Sequence, residues 1–411
     1  MEAKMEQQSI LSQIDNRLKL AVFLTPFMHF YLPLVGEFIV LFFQLSIIWL
    51  VNNLKNNDTY LSLKPIHIVI YLYITSITIS SLLMIHRLGW SAETVVSIFR
   101  YLVMVTHVVF IMSLAKYFSL SDKLPFDFLP HSILIASSLL FIDINFNLTN
   151  IDYNEGLRII TSSNIRHLGH IVIISTLYLS IKILMGERIN NILFTLSTIT
   201  SISLIIWLGG RGAILSYLIG ISLVIIFIYK HNELKIKNSV TLICLIITSL
   251  ILSLPFNVYS WNGLNRLLDA KEYYVKDLNA LSTNRIELWE TSWNFIKEKP
   301  FFGYGAESFI LNSDTVYRHP HNFIVQWLFD YGIIGLILFL SFIIYINKTS
   351  YINIKNELST NNLFSIAILV SIISNAFISG TLYYSPPFFI LCVVASYSYS
   401  KYSSHKIINH T

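Results

Sequence analysis

Charge is what this chain lacks. Only 12% of its 411 residues are Asp, Glu, Lys or Arg, against about 25% in soluble globular proteins. Hydrophobic residues make up 54% and the mean hydropathy is +0.62. That balance excludes a disordered chain and a nucleic-acid binder, and it argues against a water-soluble enzyme. The 28 basic and 23 acidic residues leave a formal charge of +5, too small to mark a polyanionic partner. Cysteine is nearly absent. Cys244 and Cys392 each lie inside an apolar run, which excludes a disulfide framework and a cysteine-rich metal site. Internal repeats and low-complexity segments are also missing. The Gly303-Tyr304-Gly305 stretch has no lysine and no following Ser or Thr of a phosphate-binding loop, so a nucleotide site is excluded and a turn using positive φ is expected there.

What is present is apolar sequence in lengths that cross a bilayer, whose core of about 30 Å needs about 20 residues of helix. Runs near 18–34, 36–52, 66–85, 99–117, 131–145, 168–185, 191–208, 211–229, 239–256, 322–346, 362–380 and 383–399 meet that requirement. The expected fold is an all-α polytopic membrane protein of about 12 transmembrane helices with one long periplasmic loop containing short helices. Three regions follow: helices one to nine over 1–256, the loop over 257–321, and the last three helices with a cytoplasmic tail over 322–411. Pro26, Pro33 and Gly36 interrupt the first pair of runs. No small-residue cleavage site follows the first run, so no cleavable signal peptide is expected.

Basic residues concentrate in alternate short connections, among them Lys19, Lys116, Lys182, Lys230, Lys355 and Lys401. The intervening short connections hold few, chiefly Arg87, Arg158 and Arg166. The positive-inside rule then puts both termini in the cytoplasm and 257–321 outside. That loop carries aromatic residues to bury, and 284–298 reads as a helix with Thr283 as cap and Pro300 past its end. Arg285, Trp289 and Trp293 recur at i, i+4 and i+8 and share one face. That face suits an interfacial anchor or an anion site.

Three further features stand out. Arg211 lies among glycines (Gly209-Gly210-Arg211-Gly212) between apolar runs, with no acidic residue within twenty positions. It can snorkel to headgroups, or it can hold a phosphate where a helix dipole favours anions. His319 and His321 flank Pro320 just before an apolar run, as polar caps or, with a pKa near neutrality, as general bases. A metal site is not expected, because no carboxylate or cysteine lies at useful spacing. Asp330, inside an apolar run, either pairs with an arginine or marks a helix break at Gly332. His29, His107, Gln44 and Asn375 read as interhelical hydrogen-bonding groups.

The series Arg285-Ile286-Glu287-Leu288-Trp289, then Lys299-Pro300-Phe301-Phe302-Gly303-Tyr304-Gly305, then His321-Asn322 and Tyr331-Gly332-Ile333-Ile334-Gly335-Leu336 resembles the O-antigen ligase and polymerase superfamily. The Gly210-Arg211-Gly212-Ala213 turn is similar to that family's short arginine motif. The resemblance covers about 210–340; earlier spans match in number and hydropathy alone. It implies a metal-independent, cofactor-free inverting glycosyltransferase at the periplasmic face of a Gram-negative inner membrane. The donor implied is a glycan on undecaprenyl diphosphate, and the acceptor is lipid A-core, a second lipid-linked glycan, or protein. Arg211 and Arg285 match diphosphate-binding arginines and His321 the base, with His319 its rival. Arg266, Arg318 and Asp330 are second-rank candidates. A ligase is expected first, and a polymerase or protein glycosyltransferase shares its donor chemistry. A transporter of lipid-linked glycan is the non-enzyme reading. The enzyme reading expects Arg211, Arg285 and His321 to converge on one outward-facing cavity.

Overall fold

The computed structural model describes residues 2–30, 33–54, 65–146, 165–187, 191–256, 263, 285–313, 319–380, 382 and 384–408. Arg266, Arg318 and the expected cap Thr283 lie outside them, as does the side chain of His29. Among the described residues the chain is helical, without strands. The long helices are α1 (Glu2–Phe30), α2 (Pro33–Asn52), α3 (Pro65–Leu88), α4 (Ala92–Phe118), α5 (Leu129–Phe146), α6 (Ile165–Leu184), α7 (Ile192–Trp207), α8 (Arg211–Lys230) and α9 (Ile236–Ser253). Two shorter ones follow, α10 (Arg285–Glu298) and α11 (Phe309–Asn312). Then come α12 (Phe323–Asn356), α13 (Thr360–Ser379) and α14 (Ser385–Ile408).

Each apolar run predicted from the sequence falls on one of the long helices. By length and apolarity, seven of them can cross a membrane: α2, α3, α4, α8, α9, α12 and α13. The remainder are shorter in apolar length or, like α1 with its Lys19, Arg17 and Asp15, too charged over much of their length. Pro33 is the first residue of α2, a position where its missing N–H costs no helical bond. The last helix of the loop side departs most from expectation. α12 runs to Asn356 instead of about 346, and at 34 residues it is roughly 50 Å long, more than a bilayer core needs. Gly332, at φ 66° and ψ −172°, breaks it near its start. The break expected at Gly332, beside Asp330, is present.

Helices α6, α13 and α14 are buried on nearly all sides over 168–182, 360–376 and 385–400, as expected of helices apolar all round at the centre of a bundle. Small residues set the contact between α8 and α13. Gly212, Ser216 and Gly220, at i, i+4 and i+8, let the backbones close. A Cβ on Gly220 would lie 2.2 Å from Ser371 Oγ, and that hydroxyl donates to the Ser216 carbonyl at 2.9 Å. Without a hydrophobic drive inside lipid, such close packing and interhelical hydrogen bonds hold helices together. Gln44 and His107 bond across α2 and α4 at 2.8 Å. Asn375 instead presses its Oδ1 3.0 Å from where Gly212 would carry a Cβ, so its role there is close packing.

The helices are antiparallel in α8 and α13 and parallel in α12 and α14, where Ser350 meets Ser398 at 2.9 Å. Lys116, Lys182, Lys230, Lys355 and Lys401 therefore gather at one end of the bundle. Two of them form ion pairs there, Lys182 with Asp127 at 2.9 Å and Lys401 with Asp122 at 3.3 Å. Arg211, the α12 start and the α13 end share the other end, called the outer end below.

Candidate functional site

α10 is docked at the outer end by a small core of its own. Leu288 and Ile296 pack with Tyr304, Phe309 and Phe329 of the turn, α11 and α12. Ser292, between them on the same stripe, is buried. The neighbouring stripe carries Arg285, Trp289 and Trp293. Trp293 is exposed, whereas Trp289 donates its indole N–H to the Pro320 carbonyl at 2.9 Å. One bond thus ties the arginine helix to the His319-Pro320-His321 segment, so the interfacial-anchor reading fits Trp293 and not Trp289.

The histidine segment is fixed from three sides. Asn322 caps α12, its Oδ1 accepting from the N–H groups of Ile324 (2.9 Å) and Val325 (3.3 Å). Sequence reasoning expected His321 to open this helix; the cap is Asn322, one residue later. His321 itself stands at φ +56°, a left-handed conformation that non-glycine residues rarely hold without outside support. That support comes from α13, whose last residue is followed by Gly380 at φ 64°. A Cβ on Gly380 would lie 2.7 Å from the His321 Cα, so only glycine lets this backbone lie under the histidine. The His321 N–H donates to His319 Nδ1 at 3.3 Å, and the two rings meet edge to face at 4.4 Å.

Arg211 opens α8 behind the uncapped Gly210. Its helix is locked to α13 through Gly212, and α13 carries Gly380 beneath His321. From the opposite direction, Arg285 approaches Arg211 closely enough to feel its charge. Burial lowers the pKa of Arg285, and the like charge of Arg211 lowers it further. Contacts thus run from Arg211 through α8, α13 and Gly380 to His321, and from His321 through Pro320 and Trp289 to α10, which carries Arg285. Arg211, Arg285, His319 and His321 share the outer end of the bundle. Asp330 is buried in α12.

The glycine motifs do something the sequence did not disclose. Residues 300–305 and 329–334 bond main chain to main chain. The N–H groups of Tyr304 and Gly305 donate to the carbonyls of Phe329 and Asp330, both at 2.9 Å, and Ile333 N–H donates to the Pro300 carbonyl at 2.8 Å. A Cβ on Gly303 would sit 2.4 Å from the Phe329 carbonyl oxygen, and one on Gly332 would sit 2.2 Å from that of Phe301. The turn and the helix break are one clasp, which satisfies the backbone groups freed by the break. Ser80 adds a bond to the Asp330 carbonyl at 2.7 Å.

Sequence reasoning also missed an ion triad joining the bundle to this turn. Arg100 of α4 bonds Glu37 of α2 at 2.6 Å and Glu307 at 2.5 Å, with all three side chains nearly buried. Its members are scattered over 270 positions, and no local pattern joins them. Beside the arginine turn lies an apolar groove of about 780 Å³ along the outer halves of α5, α7 and α9, lined by Leu140, Phe141, Ile199, Leu204, Trp207 and Phe256. Trp207, which donates to the Phe256 carbonyl at 2.8 Å, is four residues before Arg211. Among the described residues no cluster of His, Cys, Asp and Glu is arranged to hold a metal.

A multi-pass helical membrane protein with paired arginines and a strained histidine fixed at one end of its bundle is the class these features define. The family model described as O-antigen ligase matches residues 196–340. That region, which contains Arg211, Arg285, His319, His321 and Asp330, is similar to the O-antigen ligase family, whose members are glycosyltransferase-like membrane enzymes. Comparison with curated proteins gives no match.

Proposed function

We propose that this protein is an O-antigen ligase, transferring a glycan from undecaprenyl diphosphate to the lipid A-core at the periplasmic face of a Gram-negative inner membrane. The family implies lipid-linked glycan substrates. The observation that carries the reading is the closeness of Arg285 to Arg211 at the end of the bundle where His321 is pinned. Two guanidinium groups at one end of the bundle can serve as a seat for a diphosphate.

In this reading an acceptor hydroxyl attacks the anomeric carbon from the side opposite the diphosphate, so configuration inverts. His321 takes the hydroxyl proton. As the carbon–oxygen bond to phosphate breaks, its electron pair and charge pass to the leaving undecaprenyl diphosphate, held by Arg211 and Arg285. The proton on His321 then passes to water. His321 is favoured over His319 as base by the hydrogen bonding. The neutral His319 ring already accepts the His321 N–H on Nδ1, which puts its proton on Nε2 and leaves no lone pair for substrate. The groove ending at Trp207 suits an isoprenoid chain whose diphosphate sits at Arg211. Asp330, and Arg266 and Arg318, receive no direct part. Both chain ends are placed in the cytoplasm and the 257–321 loop in the periplasm, with about twelve helices crossing.

The test is lipopolysaccharide gel profiling of a deletion strain, with carrier-linked glycan extracted in parallel. Core without O-antigen, together with long chains accumulating on the carrier, is the expected result. Core bearing single repeat units would instead identify a polymerase. An unchanged profile would overturn both and bring forward protein glycosylation or transport.

A further inference from the structure

A second cationic cluster lies at the far end of α10 from Arg285. The helix separates them by roughly 20 Å, at about 1.5 Å per residue over Arg285–Glu298. Here Arg87, at the outer end of α3, stands 4.6 Å over the centroid of the Tyr304 ring, and Lys299 stands 4.5 Å over the same ring. Arg87 also donates to the Tyr304 carbonyl at 3.3 Å. Phe329 stacks on Tyr304 at 4.9 Å, so ring and cations together leave Tyr304 only 4% exposed.

The two cations carry like charge, and Lys299 also feels the opposite charge of Glu298. Among the described residues neither has a carboxylate at ion-pair distance. Glu298 is the acidic group facing Lys299, and it accepts the Tyr304 hydroxyl at 2.8 Å. The Nε of Arg87 is buried and has no hydrogen-bond partner among the described residues. Burial holds the pKa of Lys299 down, and the like charge of Arg87 holds it down further. A buried donor without a partner and two adjacent like charges both cost stability, and an anion removes both costs. Trp90 and Phe301, 78% and 63% exposed, flank Arg87 and Lys299 in sequence, as aromatic residues do at headgroup depth.

We propose that Arg87 and Lys299 form a second anion site, separate from the arginine pair, that binds the phosphate of an outer-leaflet lipid headgroup. That phosphate can belong to a glycerophospholipid or to a phosphorylated saccharide-lipid acting as acceptor. The binding inference stands without the ligase reading; only the acceptor source rests on it.

The test is native mass spectrometry of the full chain released from micelles, titrated with phosphatidylglycerol and, separately, with bis-phosphorylated lipid A. Wild type is expected to retain at least one of them about tenfold more tightly than the Arg87→Gln, Lys299→Gln double variant, the scale of one charge-assisted hydrogen bond. Selective retention of lipid A supports the acceptor source; equal retention of both supports a bilayer lipid. The Arg87→Lys, Lys299→Arg exchange should restore retention, which a purely structural clamp on Tyr304 would not require. The Arg211→Gln, Arg285→Gln variant should still bind, separating this site from the donor reading. Wild-type retention by the double glutamine variant, or none by wild type, would overturn the proposal.

Discussion

In the proposed mechanism Arg211 and Arg285 stabilise charge that appears only as the glycosidic bond breaks. Each single change to Ala is expected to lower transfer about 10²- to 10³-fold, the cost of losing one preorganised donor, while the protein still reaches the membrane. Quantitative ligation with purified donor and acceptor reads this directly, and near-normal turnover in either variant would remove that arginine from the diphosphate seat. His321→Gln should cost about 10²- to 10⁴-fold, as general bases do, with donor retention intact. His319→Gln should cost less; the reverse order would exchange their roles. The residues themselves were legible in the sequence, because a lone arginine among glycines and histidines around a proline are conspicuous in an apolar chain. The neighbours that position them were not. Gly380 and Trp289 act through a backbone approach and a single indole bond, and neither leaves a trace in spacing.

The broken start of α12 and the turn at 300–305 form a single element made from two segments. Its glycines are constrained by space as well as by φ, so Gly332→Ala is expected to prevent the clasp from closing. Thermal melting of the purified protein in micelles should fall by several degrees, and unchanged melting would show that the clasp is not structural. Gly380→Ala separates stability from chemistry, since the three atoms nearest its Cβ would all be backbone of His321 and Asn322. It should lower transfer more than it lowers melting temperature. From sequence, the Gly-x-Gly turn and the break at Gly332 were each visible. Their union was not, because main-chain hydrogen bonds are made by every residue type and carry no compositional signature. The same reasoning explains why the extent of α12 was underestimated, as Asn347, Lys348 and Asn353 resemble an ending yet continue the helix.

For the whole molecule, the apolar runs marked where the long helices lie among the described residues, because burial in lipid demands length and apolarity alone; seven of those helices meet both demands in full. Relations between helices remained hidden, above all the Glu37–Arg100–Glu307 triad. Removing Arg100 would leave two nearly buried carboxylates facing each other, so Arg100→Ala should destabilise by about 3–5 kcal/mol. Urea or thermal denaturation in micelles measures this, and an Arg100→Leu, Glu37→Gln, Glu307→Gln triple variant should recover most of the loss. Orientation is tested by cysteine accessibility. In a Cys244→Ser background, Trp90→Cys should react with a membrane-impermeant thiol reagent added outside, and His231→Cys only after the membrane is opened. The opposite pattern would invert the topology.

The clasp between 300–305 and 329–334 carries a consequence for traffic. A segment riveted along its main chain, and bolted again through Arg100 and Ser80, cannot swing aside as a hinged cover without tearing several bonds at once. For an enzyme of the proposed kind, the groove along α5, α7 and α9 would offer a lateral path from the surrounding leaflet toward Arg211. The rate of such an enzyme would be governed by diffusion in the plane of the bilayer and would depend on its fluidity.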